Sequence, residues 1–134
     1  MIGVLLVTHG EIGTAMLTSA NQILGGAAKQ VGTLSVWRQD DPDDLVLRAR
    51  ELLEQLDAGN GVLVLTDIFG ATPGNVVSRL LEDNHIEGVS GVSLPMLLRV
   101  LTSRNGSLSS AVKRAMSGGS EGVVHMNSDR CLDA

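Results

Sequence analysis

Aromatic residues are almost missing from this 134-residue chain, which has one tryptophan, one phenylalanine and no tyrosine. Its core must therefore be aliphatic, built from abundant Leu, Val, Ile and Ala. A single cysteine, Cys131, excludes an internal disulfide framework, fits a reducing compartment and reads as an inert residue of the C-terminal tail. Only two lysines occur, Lys29 and Lys113, and the net charge is -5. No basic stripe can neutralise a phosphate backbone, so nucleic acid is excluded as a partner. No apolar run approaches the roughly 20 residues that span a bilayer, and the apolar N-terminus lacks a basic flank. The chain reads as soluble and cytoplasmic. Neither G-x-G-x-x-G nor G-K-[ST] appears, and no His, Cys and carboxylate spacing suits zinc, so no cofactor and no metal are expected.

What is present is a regular alternation of apolar runs and amphipathic stretches, the pattern of an α/β fold with a doubly wound, mainly parallel sheet. The length suits one domain. Ile2 to Val7 reads as a strand buried on both faces, and Ile12 to Leu24 as a helix stopped by Gly25-Gly26. Val31 to Trp37 is a second strand. In "QDDPDDLVLRARELLEQLDAG", Asp41 caps a helix, Pro42 takes its first position, and Asp43 and Asp44 suit the positive dipole end. Gly61 to Thr66 is the third strand, and Thr72 reads as the cap of a helix with Pro73 at its first position. Gly88 to Ser93 is a fourth strand, followed by a helix that Pro95 starts and Asn105-Gly106 stops. Another helix covers Ser109 to Met116. "SGGS" then reads as a flexible hinge before "EGVVHM", Glu121 to Met126, an edge strand of open orientation.

In open α/β sheets, ligands bind beyond the carboxyl ends of the strands, where the strand order reverses. His9 follows the first strand and Asp67 ends the third. A right-handed order of 2-1-3-4 makes those strands neighbours and sets the two side chains across one crevice. A carboxylate accepting from one imidazole nitrogen fixes the tautomer and frees the other as a nucleophile or base. The "FGATPG" loop adds backbone N–H groups at a helix start and the Thr72 hydroxyl, an arrangement suited to a phosphoryl group. Gly10, Gly70, Ala71 and Thr72 are therefore the candidate phosphoryl-binding residues, beside His9 and Asp67 as the reacting pair. His85 and His125 lack such a setting and read as a loop residue and an edge-strand residue. Met16 and Trp37 read as packing residues that can also contribute to the rim of the site. A receiver-type phosphoaspartate at Asp67 would need an acidic pair after the first strand to hold Mg²⁺, and Thr8-His9-Gly10 stands there instead.

In "VTHG", "LTDIFGATPGN", "GVSLPMLLRVL" and "EGVVHM", in that order along nearly the whole chain, the sequence resembles the mannose-type enzyme IIA family of the bacterial phosphoenolpyruvate-dependent sugar phosphotransferase system. The resemblance implies that residues 1–126 are one such domain and 127–134 a polar tail. It also implies a phosphotransferase activity, with His9 taking a phosphoryl group from the histidine phosphocarrier protein (HPr) and Asp67 as its carboxylate partner. Further implications are a homodimer whose last strand pairs antiparallel in the partner's sheet, and only peripheral contact with a membrane permease. No linker or IIB domain follows, so the acceptor is expected to be a separate IIB subunit. Related roles are a regulatory phosphoprotein or a phosphoryl donor to a dihydroxyacetone kinase. The loop reads "GATPGN" where many relatives have a pattern like "GGSPFN", which keeps the hydroxyl at Thr72 and loses a bulky side chain.

Overall fold

A computed structural model of the chain describes residues 1–129. Cys131 and most of the expected polar tail lie outside the described residues. The elements run β1 (Gly3–His9), α1 (Ile12–Leu24), β2 (Val31–Val36), α2 (Pro42–Leu56), β3 (Val62–Thr66), α3 (Thr72–Ser78), β4 (Ile86–Ser90), α4 (Leu94–Leu101), α5 (Leu108–Glu121) and α6 (Met126–Asp129). All four strands are parallel in the order β2-β1-β3-β4, as expected from the sequence.

Strand alternation divides the core into two layers. Val4 and Leu6 of β1 and Leu63 and Leu65 of β3 pack with Ala20 of α1, Met96, Leu97 and Val100 of α4, and Ala111 and Ala115 of α5. Leu5, Val7, Val62 and Val64 face the other way, onto Leu45, Ala49 and Leu53 of α2 and Val76 and Val77 of α3. Each Val, Leu and Met among them gains about 1.5–3 kcal/mol on full burial, the alanines less, with no aromatic in either layer. α2 starts as its sequence dictates, with the Asp41 carboxylate accepting the Asp43 N–H at 2.9 Å and Pro42 in the first turn.

Several expectations are corrected. The fourth strand lies two to three residues earlier than Gly88 to Ser93, because Gly91 turns the chain at φ +80° and the Ser93 hydroxyl caps α4 by accepting the Met96 N–H. "SGGS" is no hinge, since it forms the last turns of α5. Its glycines allow close approach: a Cβ on Gly118 would lie 3.2 Å from both the Met96 Cα and the Arg99 Cβ. The Arg99–Glu121 ion pair further ties the end of α5 to α4. "EGVVHM" forms no strand in its own chain. Glu121 ends α5, Val123 to His125 are irregular, and Met126 opens the four-residue α6. This segment is exposed, Val123 by 84%, and pairs with no strand of its own sheet. At the end of α1, Ile23 and Leu24 stay exposed instead of facing inward.

Candidate functional site

Because β1 and β3 pair in register from Gly3↔Val62 to Val7↔Thr66, the residues that follow their carboxyl ends share one edge. Within β1, Gly3 to Thr8 are buried and His9 is the first residue to emerge. The buried Thr8 hydroxyl accepts the Gly13 N–H at 2.8 Å and folds the chain directly from strand into α1. Gly10, at φ +48°, completes this turn, and a Cβ there would come 3.2 Å from the Trp37 ring. The Gly10 N–H is already donated to the Val36 carbonyl at 2.9 Å.

Asp67 is the first residue beyond β3. Its Oδ2 lies 2.8 Å from the His9 Nδ1 and also accepts the His9 backbone N–H at 3.1 Å. Its Oδ1 accepts the Ile68 N–H at 3.1 Å. Burial pushes the Asp67 carboxyl upward, but the hydrogen bonds from the His9 ring and backbone, with the local backbone donor, outweigh it and hold the group below the usual aspartate value. An ionised carboxylate only accepts, so Nδ1 carries the proton that is shared with it. In the neutral imidazole Nε2 then holds the lone pair, and it has no hydrogen-bond partner among the described residues. The His9 side chain is 47% exposed against 12% for Asp67, which gives an accessible imidazole on a shielded anion.

Beside it opens a cleft of about 500 Å³ lined by His9, Val36, Trp37, Arg38, Asp40, Pro42 and Thr72. Thr72 is the first residue of α3, not its cap. The extended cap conformation falls on Ala71 (φ -102°, ψ 178°), which leaves the Thr72 hydroxyl facing the cleft without a partner among the described residues. Gly70 turns at φ +85°, and the N–H groups of Gly70 and Ala71 have no acceptor among the described residues. The structure thus gathers His9, Asp67, Gly10 and Thr72 at one edge, with Gly70 and Ala71 on the loop that joins them. Trp37 and Arg38 join them from the end of β2, which the 2-1-3-4 order makes the other neighbour of β1; that order is the signal that could have placed them. Met16 is part of the core.

The remaining histidines stand elsewhere. His85 is an exposed turn residue, as expected, and its Nε2 lies 3.0 Å from the Asp57 Oδ2, at the opposite end of the sheet. Backbone donation by Gly59, then by Gly61, and the His85 charge overcome burial and hold Asp57 below its usual value. The His125 Nδ1 lies 2.7 Å from the Ser128 hydroxyl in the C-terminal segment, not on an edge strand. Among the described residues no three His, Cys, Asp or Glu side chains converge to hold a metal ion, and no helix is long and apolar enough to cross a membrane.

Comparison with known proteins follows this geometry. The family EIIA-man, described as "PTS system fructose IIA component", matches residues 3–117. The "PTS system mannose-specific EIIAB component" of Escherichia coli K12 is 33% identical over 125 residues, covering 91% of this chain and 38% of that protein. This chain therefore spans well under half the length of that relative. The "PTS system fructose-specific EIIA component" of Bacillus subtilis is 30% identical over 105 residues, 78% of this chain and 71% of the other. A crystal structure of "phosphotransferase system component EIIA" from Streptococcus agalactiae superposes with a TM-score of 0.84 at 26% identity, over 96% of this chain and 99% of that one.

Proposed function

The chain belongs to the EIIA-man family of phosphotransferase-system IIA components, and from that premise we propose that it is a phosphoryl carrier working through His9. The observation that carries this reading is the 2.8 Å contact between the His9 Nδ1 and Asp67, which turns Nε2 of the half-exposed ring away from the carboxylate and, in the neutral imidazole, makes it the nitrogen with the lone pair. The donor is the histidine phosphocarrier protein and the acceptor a IIB unit. The exchange takes place in the cytoplasm beside a sugar permease, and residues 1–126 form the operative domain.

In each transfer the Nε2 lone pair attacks phosphorus in line. The N–P bond of the donor phosphohistidine breaks as the new one forms, and its electron pair returns to the donor ring. Charge in such a transition state lies mainly on three equatorial oxygens, so the work is positioning and electrostatic stabilisation. The N–H groups of Gly70 and Ala71 and the Thr72 hydroxyl supply donors. Gly10 contributes through its turn, since its N–H is engaged by Val36. Asp67 stabilises the positive ring that develops as Nε2 bonds. Its own oxygens are occupied by the His9 and Ile68 donors, which supports an orienting role over that of acceptor.

The same reading includes a homodimer. A groove of about 380 Å³ lies along β4, the outer strand, with Phe69, Val77, Leu81, Val112 and Met116 in its lining. Phe69 is 82% exposed. The Val123 to His125 run that follows α5, unpaired in its own chain, pairs antiparallel along the partner's β4, covering an edge that would otherwise invite aggregation.

Incubation with phosphoenolpyruvate, enzyme I and the phosphocarrier protein tests the central reading. Label is expected on His9, stable to alkali and labile to acid. Label that persists in His9→Ala, or that alkali removes, overturns it.

A further inference from the structure

We infer that Arg38, which no feature of the sequence marked, is the cation that clamps the phosphoryl group carried on His9; this rests on the phosphocarrier reading above. Arg38 lines the same cleft as His9 and Thr72, and is the only lysine or arginine that does so among the described residues. Its position follows from the fold. His9 pairs in register with Val36, the last residue of β2, so the chain leaving β2 passes directly beside the imidazole. Trp37 lies against Gly10, and Arg38 comes next.

The other arginines with described side-chain partners are committed to structure. Arg79 pairs with Asp43, Arg99 with Glu121, Arg50 reaches the Arg79 carbonyl, and Arg104 is buried against the Ile2 and Lys29 carbonyls. The guanidinium of Arg38 has no such partner among the described residues. The carboxylate in the cleft wall, Asp40, spends its Oδ2 on the Trp37 N–H at 2.8 Å.

The charge balance explains why a cation belongs here. Asp67 and Asp40 already place two carboxylates at this edge, in a chain of net charge -5. A phosphoryl group on Nε2 adds further negative charge near both. Backbone N–H groups and one hydroxyl offer only partial charges in return, whereas a guanidinium offers a full charge and a planar fork that fits two phosphoryl oxygens. Arg38 moves no proton and breaks no bond. It stabilises the same oxygens before, during and after transfer, and most strongly when they are fully ionised.

Phosphorus-31 NMR of the phosphorylated full-length protein, titrated with pH, reads this directly in wild type, Arg38→Gln and Arg38→Lys. A nearby cation favours the fully ionised phosphoryl group. Arg38→Gln should therefore shift the phosphorus titration to higher pH, with Arg38→Lys in between, and should slow phosphoryl arrival from the carrier protein by about ten- to a hundredfold. Urea unfolding of each variant should match wild type, because Arg38 holds no described structural contact. Wild-type protein that takes no label on His9 defeats both the carrier reading and this inference. Label on His9 with a phosphorus titration unmoved in Arg38→Gln defeats the inference alone. Transfer slowed only through a higher KM for the carrier, with no change in titration, assigns Arg38 to protein docking and likewise overturns the clamp.

Discussion

Replacing Asp67 by Asn isolates the contribution of the carboxylate charge, because the two side chains have nearly the same shape. Asp67 accepts hydrogen bonds on both oxygens, from the His9 ring and backbone on Oδ2 and from Ile68 on Oδ1. An asparagine has one acceptor oxygen and one amide nitrogen, so one side of the group must point N–H at N–H. That mismatch costs about 1–3 kcal/mol of stability. The kinetic effect comes on top. A unit charge about 4 Å from another is worth about 4 kcal/mol at an effective dielectric of 20, and the half-exposure of His9 reduces this toward the roughly 1.5–3 kcal/mol of a hydrogen bond to a charged group. Transfer to His9 should therefore slow by about ten- to a hundredfold, read by quenched-flow labelling from the phosphorylated carrier. The stability difference carries its own pH signature. The folded Asp67 lies below its usual value, so its stabilisation is present at neutral pH, begins to fall near the unfolded value of about 3.9, and is lost as pH drops through the folded value. Urea midpoints of wild type and Asp67→Asn should converge under acid. Unchanged transfer kinetics in Asp67→Asn would refute the orienting and charge-stabilising role.

Gly118→Val should destabilise the fold by about 1–3 kcal/mol in urea unfolding, because its branched side chain would meet Met96 and Arg99 where even a Cβ lies 3.2 Å away. Asp57→Ala should cost about 1–3 kcal/mol at neutral pH by leaving the Gly59 and Gly61 N–H groups without their acceptor, with labelling of His9 preserved; a loss that persists undiminished at low pH, where the Asp57 carboxylate is no longer charged, would contradict the assignment. Removal of residues 123–134 should convert a dimer to monomers or aggregates by sedimentation velocity, while a truncated protein that stays a stable dimer would refute strand exchange.

Most of the architecture was legible because burial on two faces leaves a strong mark. "IGVLLV" and "GVLVL" admit no polar side chain within the run, and order 2-1-3-4 follows from right-handed crossovers. The His9–Asp67 pair was legible for the same reason, since that order makes the ends of β1 and β3 adjacent. What escaped depends on close contacts that residue type does not encode. Gly118 and Gly119 look like a hinge in isolation and are helical because α4 packs against them. Thr72 looks like a cap, yet the extended conformation falls one residue earlier, on Ala71. "EGVVHM" has strand composition, but α5 continues through Glu121 and the residues after it pair with no strand of the sheet. The pairing of His85 with Asp57 also escaped, because the two are far apart in sequence.

The most direct measurement of the central claim is the identity of the phosphorylated nitrogen, obtained by ¹⁵N-resolved NMR of the ring of phosphorylated His9. Since Nδ1 is held to Asp67, the phosphoryl group should be on Nε2, with the Nδ1 proton still hydrogen-bonded to the carboxylate. A phosphoryl group on Nδ1, on Asp67, or on no residue at this edge would contradict the account.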